Sequence, residues 1–157
     1  MKKLLLTIFV ITVIISCSSC SEKNKGFTLD PAVFEAVDFT TKAGDSEYKG
    51  TLSYSENTAE IVLSEPSELK EMKFIIDENG IKCCEKDIEI QYTESDFSDN
   101  FLFNELYKLI SGALAAEEYE SKNGTYIFSF GGDSICFDSG GLPVSAQVDK
   151  YTIALSV

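Results

Sequence analysis

The sequence predicts an α+β fold that is mainly β: a strongly curved antiparallel sheet, a half-barrel of about nine to eleven strands, wrapped around an amphipathic helix. Three observations predict it. From Phe27 onward most segments alternate apolar and polar residues with a period of two. One segment, between Ser98 and Tyr119, instead repeats its apolar residues at steps of three and four. Finally, nine or ten strands about 4.8 Å apart span roughly 40 Å or more, and one helix about 10–12 Å across cannot cover a flat sheet of that width. A sheet that buries its apolar face under one helix must therefore curl.

The elements follow in chain order. Met1-Lys2-Lys3 is a short basic start, and Leu4 to Ile15 is an apolar run well short of the roughly 20 residues of a membrane-spanning helix. Residues 1–16 thus read as a cleavable signal peptide. Ile14-Ile15-Ser16-Cys17 resembles the bacterial lipobox, whose cysteine carries a thioether-linked diacylglycerol. Cys17 is the expected lipidation site. Cys20 is the alternative, although the residue three before it is Cys17 and not an aliphatic one. Two or three acyl chains hold a protein stably on a membrane where one does not. Residues 17–26 read as a polar lipidated tether, and residues 27–157 as one domain.

Within the domain, Phe34 to Thr41 is strand-like with apolar residues on both faces. Tyr48-Leu52-Tyr54, Ala59-Ile61-Leu63, Met72-Phe74-Ile76 and Ile88-Ile90-Tyr92 each form the apolar face of a half-buried strand. So do Tyr126-Phe128-Phe130, Val144-Ala146-Val148 and Tyr151-Ile153-Leu155-Val157. Asn57-Thr58, Glu78-Asn79-Gly80 and Gly131-Gly132-Asp133 supply hairpin turns. Each joins sequence neighbours, which predicts a meander. In the helix, Leu102, Phe103, Leu106, Tyr107, Ile110, Ala113 and Leu114 share one face, with Ser98 and Asp99 as candidate caps.

Composition narrows the chemistry. The chain has 157 residues, a formal charge of −13, 13 lysines, and no arginine, histidine or tryptophan. Loss of Lys2 and Lys3 with the signal brings the charge to −15. So acidic a surface excludes nucleic acid and stands off anionic headgroups. Without histidine there is neither a Ser-His-Asp or Cys-His nucleophile pair nor a histidine-bound zinc site. Cys83 and Cys84 are neighbours that face opposite sides of a strand, unsuited to a relaxed disulfide or a shared metal. Cys84 and Cys136 can pair only if their strands are adjacent. The carboxylates Asp96, Asp99, Glu117, Glu118 and Glu120 surround the helix in no diagnostic spacing, and Gly131-Gly132 and Gly140-Gly141 are turns, not phosphate loops. No catalytic residue, metal ligand or cofactor is expected.

The order of many antiparallel strands, a helical insertion, a hairpin and closing strands resembles the LolA/LolB superfamily of lipoprotein carriers and receptors. The local feature is Phe137-Asp138-Ser139-Gly140-Gly141-Leu142-Pro143 before the strand at Val144, similar to that family's Asp, Gly, aliphatic, Pro turn. The resemblance covers about Phe27 to Val157 and implies an unclosed barrel with a helical lid over an apolar hollow that takes acyl chains. The carriers use an arginine in the early strands, and this chain has none. The expected ligand-lining residues are Leu52, Ile61, Phe74, Ile90, Leu106, Ile110, Phe128 and Ile153.

The expected function is therefore a membrane-anchored, extracytoplasmic, non-catalytic module for an acyl chain or other apolar ligand. The alternative is a structural or accessory lipoprotein with a filled core that works through protein contacts. Expected partners are the membrane through the anchor, an acyl chain, lipid or lipoprotein, and an unidentified protein, but no nucleic acid. The expected location is the outer face of a bacterial cell membrane, and small acidic lipoproteins of this kind resemble those of Gram-positive bacteria.

Overall fold

The computed structural model describes residues 22–24, 27–86, 88–93, 96 and 101–157. The signal peptide, Cys17 and Cys20, most of the tether, and the candidate caps Ser98 and Asp99 lie outside the described residues. The strands are β1 (Glu22–Asn24), β2 (Val37–Ala43), β3 (Ser46–Ser55), β4 (Thr58–Glu65), β5 (Lys73–Asp77), β6 (Gly80–Glu85) and β7 (Ile88–Tyr92). The helix α1 (Leu102–Ala115) follows. After it come β8 (Tyr119–Lys122), β9 (Thr125–Phe130), β10 (Asp133–Phe137), β11 (Pro143–Val148) and β12 (Tyr151–Ser156).

One antiparallel sheet holds all twelve strands in the order β1-β8-β9-β10-β11-β12-β2-β3-β4-β5-β6-β7. Eleven of them, β2 to β12, match the upper end of the expected range, and the three-residue β1 adds to β8. The meander is broken at two places. β2 to β7 form one run and β8 to β12 another, and β12 pairs with β2 to join them at mid-sheet. Thr41 lies buried at this seam, where its Oγ1 donates to the carbonyl of Thr152 at 3.0 Å. A buried hydroxyl without such an acceptor costs about 1–3 kcal/mol.

The curl follows from what α1 touches. Its residues pack on β9, β10 and β11 in one half of the sheet and on β5 in the other. Phe103 meets Phe39 of β2 edge-on with 5.8 Å between ring centroids, and Phe74 of β5 at 5.3 Å. A single helix reaches both arms only if the sheet bends around it. Phe103, Leu106, Leu109, Ile110 and Ala113 are buried, at three- and four-residue steps. Each fully buried leucine or isoleucine stabilises this packing by roughly 1.5–3 kcal/mol before entropy is counted. No described side chain caps the helix start; Phe101 is the capping residue, and its carbonyl accepts from the amides of Asn104 and Glu105.

Three details differ from the sequence reading. Phe34 belongs to a 3₁₀ turn, Pro31–Phe34, started by Asp30, whose side chain accepts from the amide of Ala32 at 3.0 Å. The strand after it has a normal single apolar face of Val37, Phe39 and Thr41. Tyr119 to Lys122 is a strand and not the end of the helix. Cys84 on β6 and Cys136 on β10 are separated by six strands, and Cys83, Cys84 and Cys136 are all free thiols.

The turn at Asp138 has a physical cause. Asp138 Oδ1 accepts from the amides of Gly140 at 2.8 Å and Leu142 at 2.9 Å, and Gly141 sits at φ +85°. That positive φ suits glycine, and the ring of Phe27 packs close by, where a Cβ would sit at 3.3 Å. Phe27 stacks on Tyr126 at 3.9 Å and meets Tyr119 edge-on at 4.8 Å, which ties the domain's first residues to β8 and β9.

Candidate functional site

The sheet's inner face carries two long rows of directly opposed residues. In the first, Val37, Leu52, Ile61, Phe74, Cys83 and Ile90 stand opposite one another from β2 to β7. In the second, Phe128, Ile135, Ala146, Ile153 and Thr41 do so from β9 to β2. Six of the eight expected lining residues thus fall on these rows, and Leu106 and Ile110 on the buried face of α1 complete the set.

Burial separates them. Leu52, Ile61, Leu106, Ile110 and Ile153 have no accessible surface, so each faces packed atoms and not a water-sized void. In this conformation they are core. Phe74 and Phe128 are half-buried, and a Cβ placed on Gly112 of α1 would lie 3.2 Å from the ring of Phe128. Ile90 is 45 % exposed, and Ile88, two residues earlier on the same face of β7, is 62 % exposed. The first row therefore runs from sealed core at β2, β3 and β4, through half-buried Phe74 and Cys83, to open apolar surface at β7. Phe101 extends this region above the sheet, 5.6 Å from Phe74 and 5.5 Å from Phe103. The sequence pattern identified the face of β7 but missed its exposure, because alternation does not say where one helix stops covering a sheet.

Several described polar groups around this region are engaged with neighbours. On the outer face of the β6–β7 hairpin, Lys82 Nζ lies 2.9 Å from Glu89 Oε1, and this contact raises the lysine's pKa. Burial, and then the neighbouring Cys84 and Glu85, push the Cys83 thiol up, which disfavours the reactive thiolate. Asp96 accepts from both the amide and the hydroxyl of Thr93 at 2.7 Å, bonds that hold its carboxyl below the usual range. Glu117, Glu118 and Glu120 are exposed. Among the described residues no group of three or more acidic or cysteine side chains is placed to hold a metal ion.

The rim beside α1 is polar. Tyr54 Oη donates to Ser111 Oγ at 3.2 Å, and Tyr107 Oη donates to the carbonyl of Asn57 at 3.2 Å, so the helix is pinned to the β3–β4 turn. A recess of about 140 Å³ between α1 and the β5–β6 turn is lined by Asp77, Glu78, Asn104 and Lys108 among others. Its charged lining suits water better than an acyl chain. Among the described residues no helix is long and apolar enough to cross a membrane.

The chain is similar to a solved structure from the LolA superfamily. That protein, from Nitrosomonas europaea, aligns over 78 % of this chain and 82 % of its own, with a TM-score of 0.38 and 9 % identity. No family model matches the sequence, and no curated protein matches it either.

Proposed function

We propose that this protein is a membrane-anchored, extracytoplasmic and non-catalytic binding protein that takes an acyl chain or other apolar ligand at the β7 end of its hollow. The observation that carries this reading is the exposure of Ile88 and Ile90 on the helix-facing side of the sheet, continuous with half-buried Phe74. Apolar surface that faces into a concavity fits a chain-like apolar ligand. The centre of the hollow is filled by its own side chains, so the ligand would lie along the open end and not beneath α1. The anchor half of the reading rests on Ile14 to Cys17 and on the acidic body, which favours a tether over direct contact with headgroups.

The test is native mass spectrometry of the gently purified full-length chain, with thermal shifts on adding a fatty acid or a diacyl lipopeptide. Co-purified lipid, or a shift that Ile88→Ser and Ile90→Ser both abolish, is expected. No bound lipid and no shift with either ligand overturns the reading. Labelling with a fatty acid in cells should be lost in Cys17→Ala and kept in Cys20→Ala.

A second reading is favoured by a different observation. Five of the eight expected lining residues have no accessible surface, as an accessory lipoprotein with a filled core requires. That protein would act through protein contacts and bind neither fatty acid nor lipopeptide.

A further inference from the structure

The strand β1 fixes where the tether joins the domain. Glu22-Lys23-Asn24 pairs antiparallel with β8, and the register sets Lys23 opposite Glu120, an opposite-charge pair that favours this alignment. Phe27, just after it, stacks on Tyr126 and meets Tyr119 edge-on, which secures the strand from the domain side. Glu22 stands opposite Ser121, Ser121 opposite Tyr126, Tyr126 opposite Phe137, and Phe137 opposite Pro143. One row across five strands, roughly 19 Å wide, thus joins the point where the tether meets the sheet to the turn into β11. Leu142 and Val144, on either side of Pro143, are each 41 % exposed.

Direction and reach then choose one end of the sheet. Followed backward from Asn24 to Glu22, β1 points at the end that holds Lys122 and the turn from Asp138 to Leu142. Cys17 lies five residues before Glu22, and five residues span at most about 18 Å. The opposite end, at Gly131, lies five residues along β9 from Tyr126, about 17 Å away. A tether doubled back to that end would exhaust its reach before the lipid began. We propose that the short tether seats the near end on the membrane that holds the anchor, with Leu142 and Val144 against the lipid surface. The inference rests on lipidation at Cys17 and adds to it which end of the domain meets the bilayer. Phe130 is 64 % exposed at the far end, so apolar exposure alone does not choose between the ends; the tether does. Charge agrees with the tether. In β1 and β8 to β12 the near end carries Glu22, Lys122 and Asp138, a net −1, and the far end carries Glu117, Glu118, Asp133, Asp149 and Lys150, a net −3. The more acidic end then stands beyond the about 8–10 Å over which charge acts at physiological salt.

The chain contains no tryptophan, so a single introduced one reports alone. The test places the lipidated full-length chain in phosphatidylcholine vesicles spin-labelled on the headgroup, with Leu142→Trp at the near end and Phe130→Trp at the far end. Fluorescence of Leu142→Trp should be quenched several-fold more than that of Phe130→Trp. Inserting about ten glycine and serine residues after Cys20 should erase the difference, because a flexible linker of that length frees the domain to turn. If Leu142→Trp fails to fold, Lys122→Trp at the same end decides. Equal quenching at the two ends, stronger quenching of Phe130→Trp, or a difference that survives the insertion overturns the proposal. An intact mass without lipid on Cys17 overturns the anchoring reading and the orientation together, whereas a lipidated chain with any of those quenching results overturns the orientation alone.

Discussion

The hydroxyl of Tyr119, the first residue of β8, donates to the carbonyl of Ala113 in the last turn of α1. Tyr119 is also fully buried, so one side chain gives a second donor to a carbonyl that already accepts from the amide of Ala116 at the helix end, and fills core at the start of the next strand. Tyr119→Phe leaves the carbonyl of Ala113 without this donor. The expected loss is about 1–2 kcal/mol, read from the denaturation midpoint.

Burial raises the pKa of Tyr119 above its ordinary value near 10. The folded state therefore holds this proton more tightly than the unfolded state. The stability linked to it is fully present below about pH 10 and is lost as pH rises from there through the raised folded value. Thermal melts of the wild type should fall in that alkaline window. Tyr119→Phe should show a smaller fall, with the remainder owed to other groups such as Tyr107, which burial also raises.

Gly50 of β3 allows the backbone of β4 and the ring of Phe39 to approach from two sides. A Cβ there would lie 2.2 Å from the carbonyl oxygen of Val62 and 2.8 Å from Phe39. The first neighbour is backbone and cannot step aside. Gly50→Ala should cost about 3 kcal/mol through forced displacement, measured by chemical denaturation.

Leu106 and Ile90 make a matched pair for separating core from site. Leu106→Ala opens a cavity where no accessible surface exists and should cost about 2–5 kcal/mol. Ile90→Ser, at a position 45 % exposed, should change stability by under about 1 kcal/mol. The same substitution should reduce the fluorescence of an apolar dye bound to the protein, and an unchanged signal would place the apolar surface elsewhere.

Asp138 organises the turn into β11 with two amide bonds from its Oδ1. Asp138→Ala should cost about 1–2 kcal/mol, and Asp138→Asn, which keeps one acceptor oxygen, should cost less. Equal losses for both would mean that the negative charge, and not the acceptor geometry, holds the turn.

Local elements were legible in the sequence because one face of each is buried. The alternation at Leu52-Tyr54, Ala59-Ile61-Leu63 and Ile153-Leu155 marks strands whose inner residues are buried in the structure. The helix was legible from Phe103, Leu106, Ile110 and Ala113, although Leu109, on the same buried face, was missed. Tyr119-Glu120-Ser121-Lys122 was not legible as a strand, since a single apolar inward side chain in four residues has no period to detect. Nor was the pairing of β12 with β2, because alternation fixes which face a strand buries and not which neighbour it takes. The candidate site was half legible for the same reason. The right faces were named, yet the sequence carries no sign that Ile61 is sealed while Ile90, in the same row, is open.

The seam between β12 and β2 has a consequence for how the molecule is made. Ile153 stands opposite Thr41, and Leu155 opposite Phe39. Strand β2 must wait for β12, which is made after every other described strand, before the middle of the sheet exists. Contacts this distant in sequence close slowly. Until β12 is made, β2 presents an unpaired strand edge at what becomes the middle of the sheet.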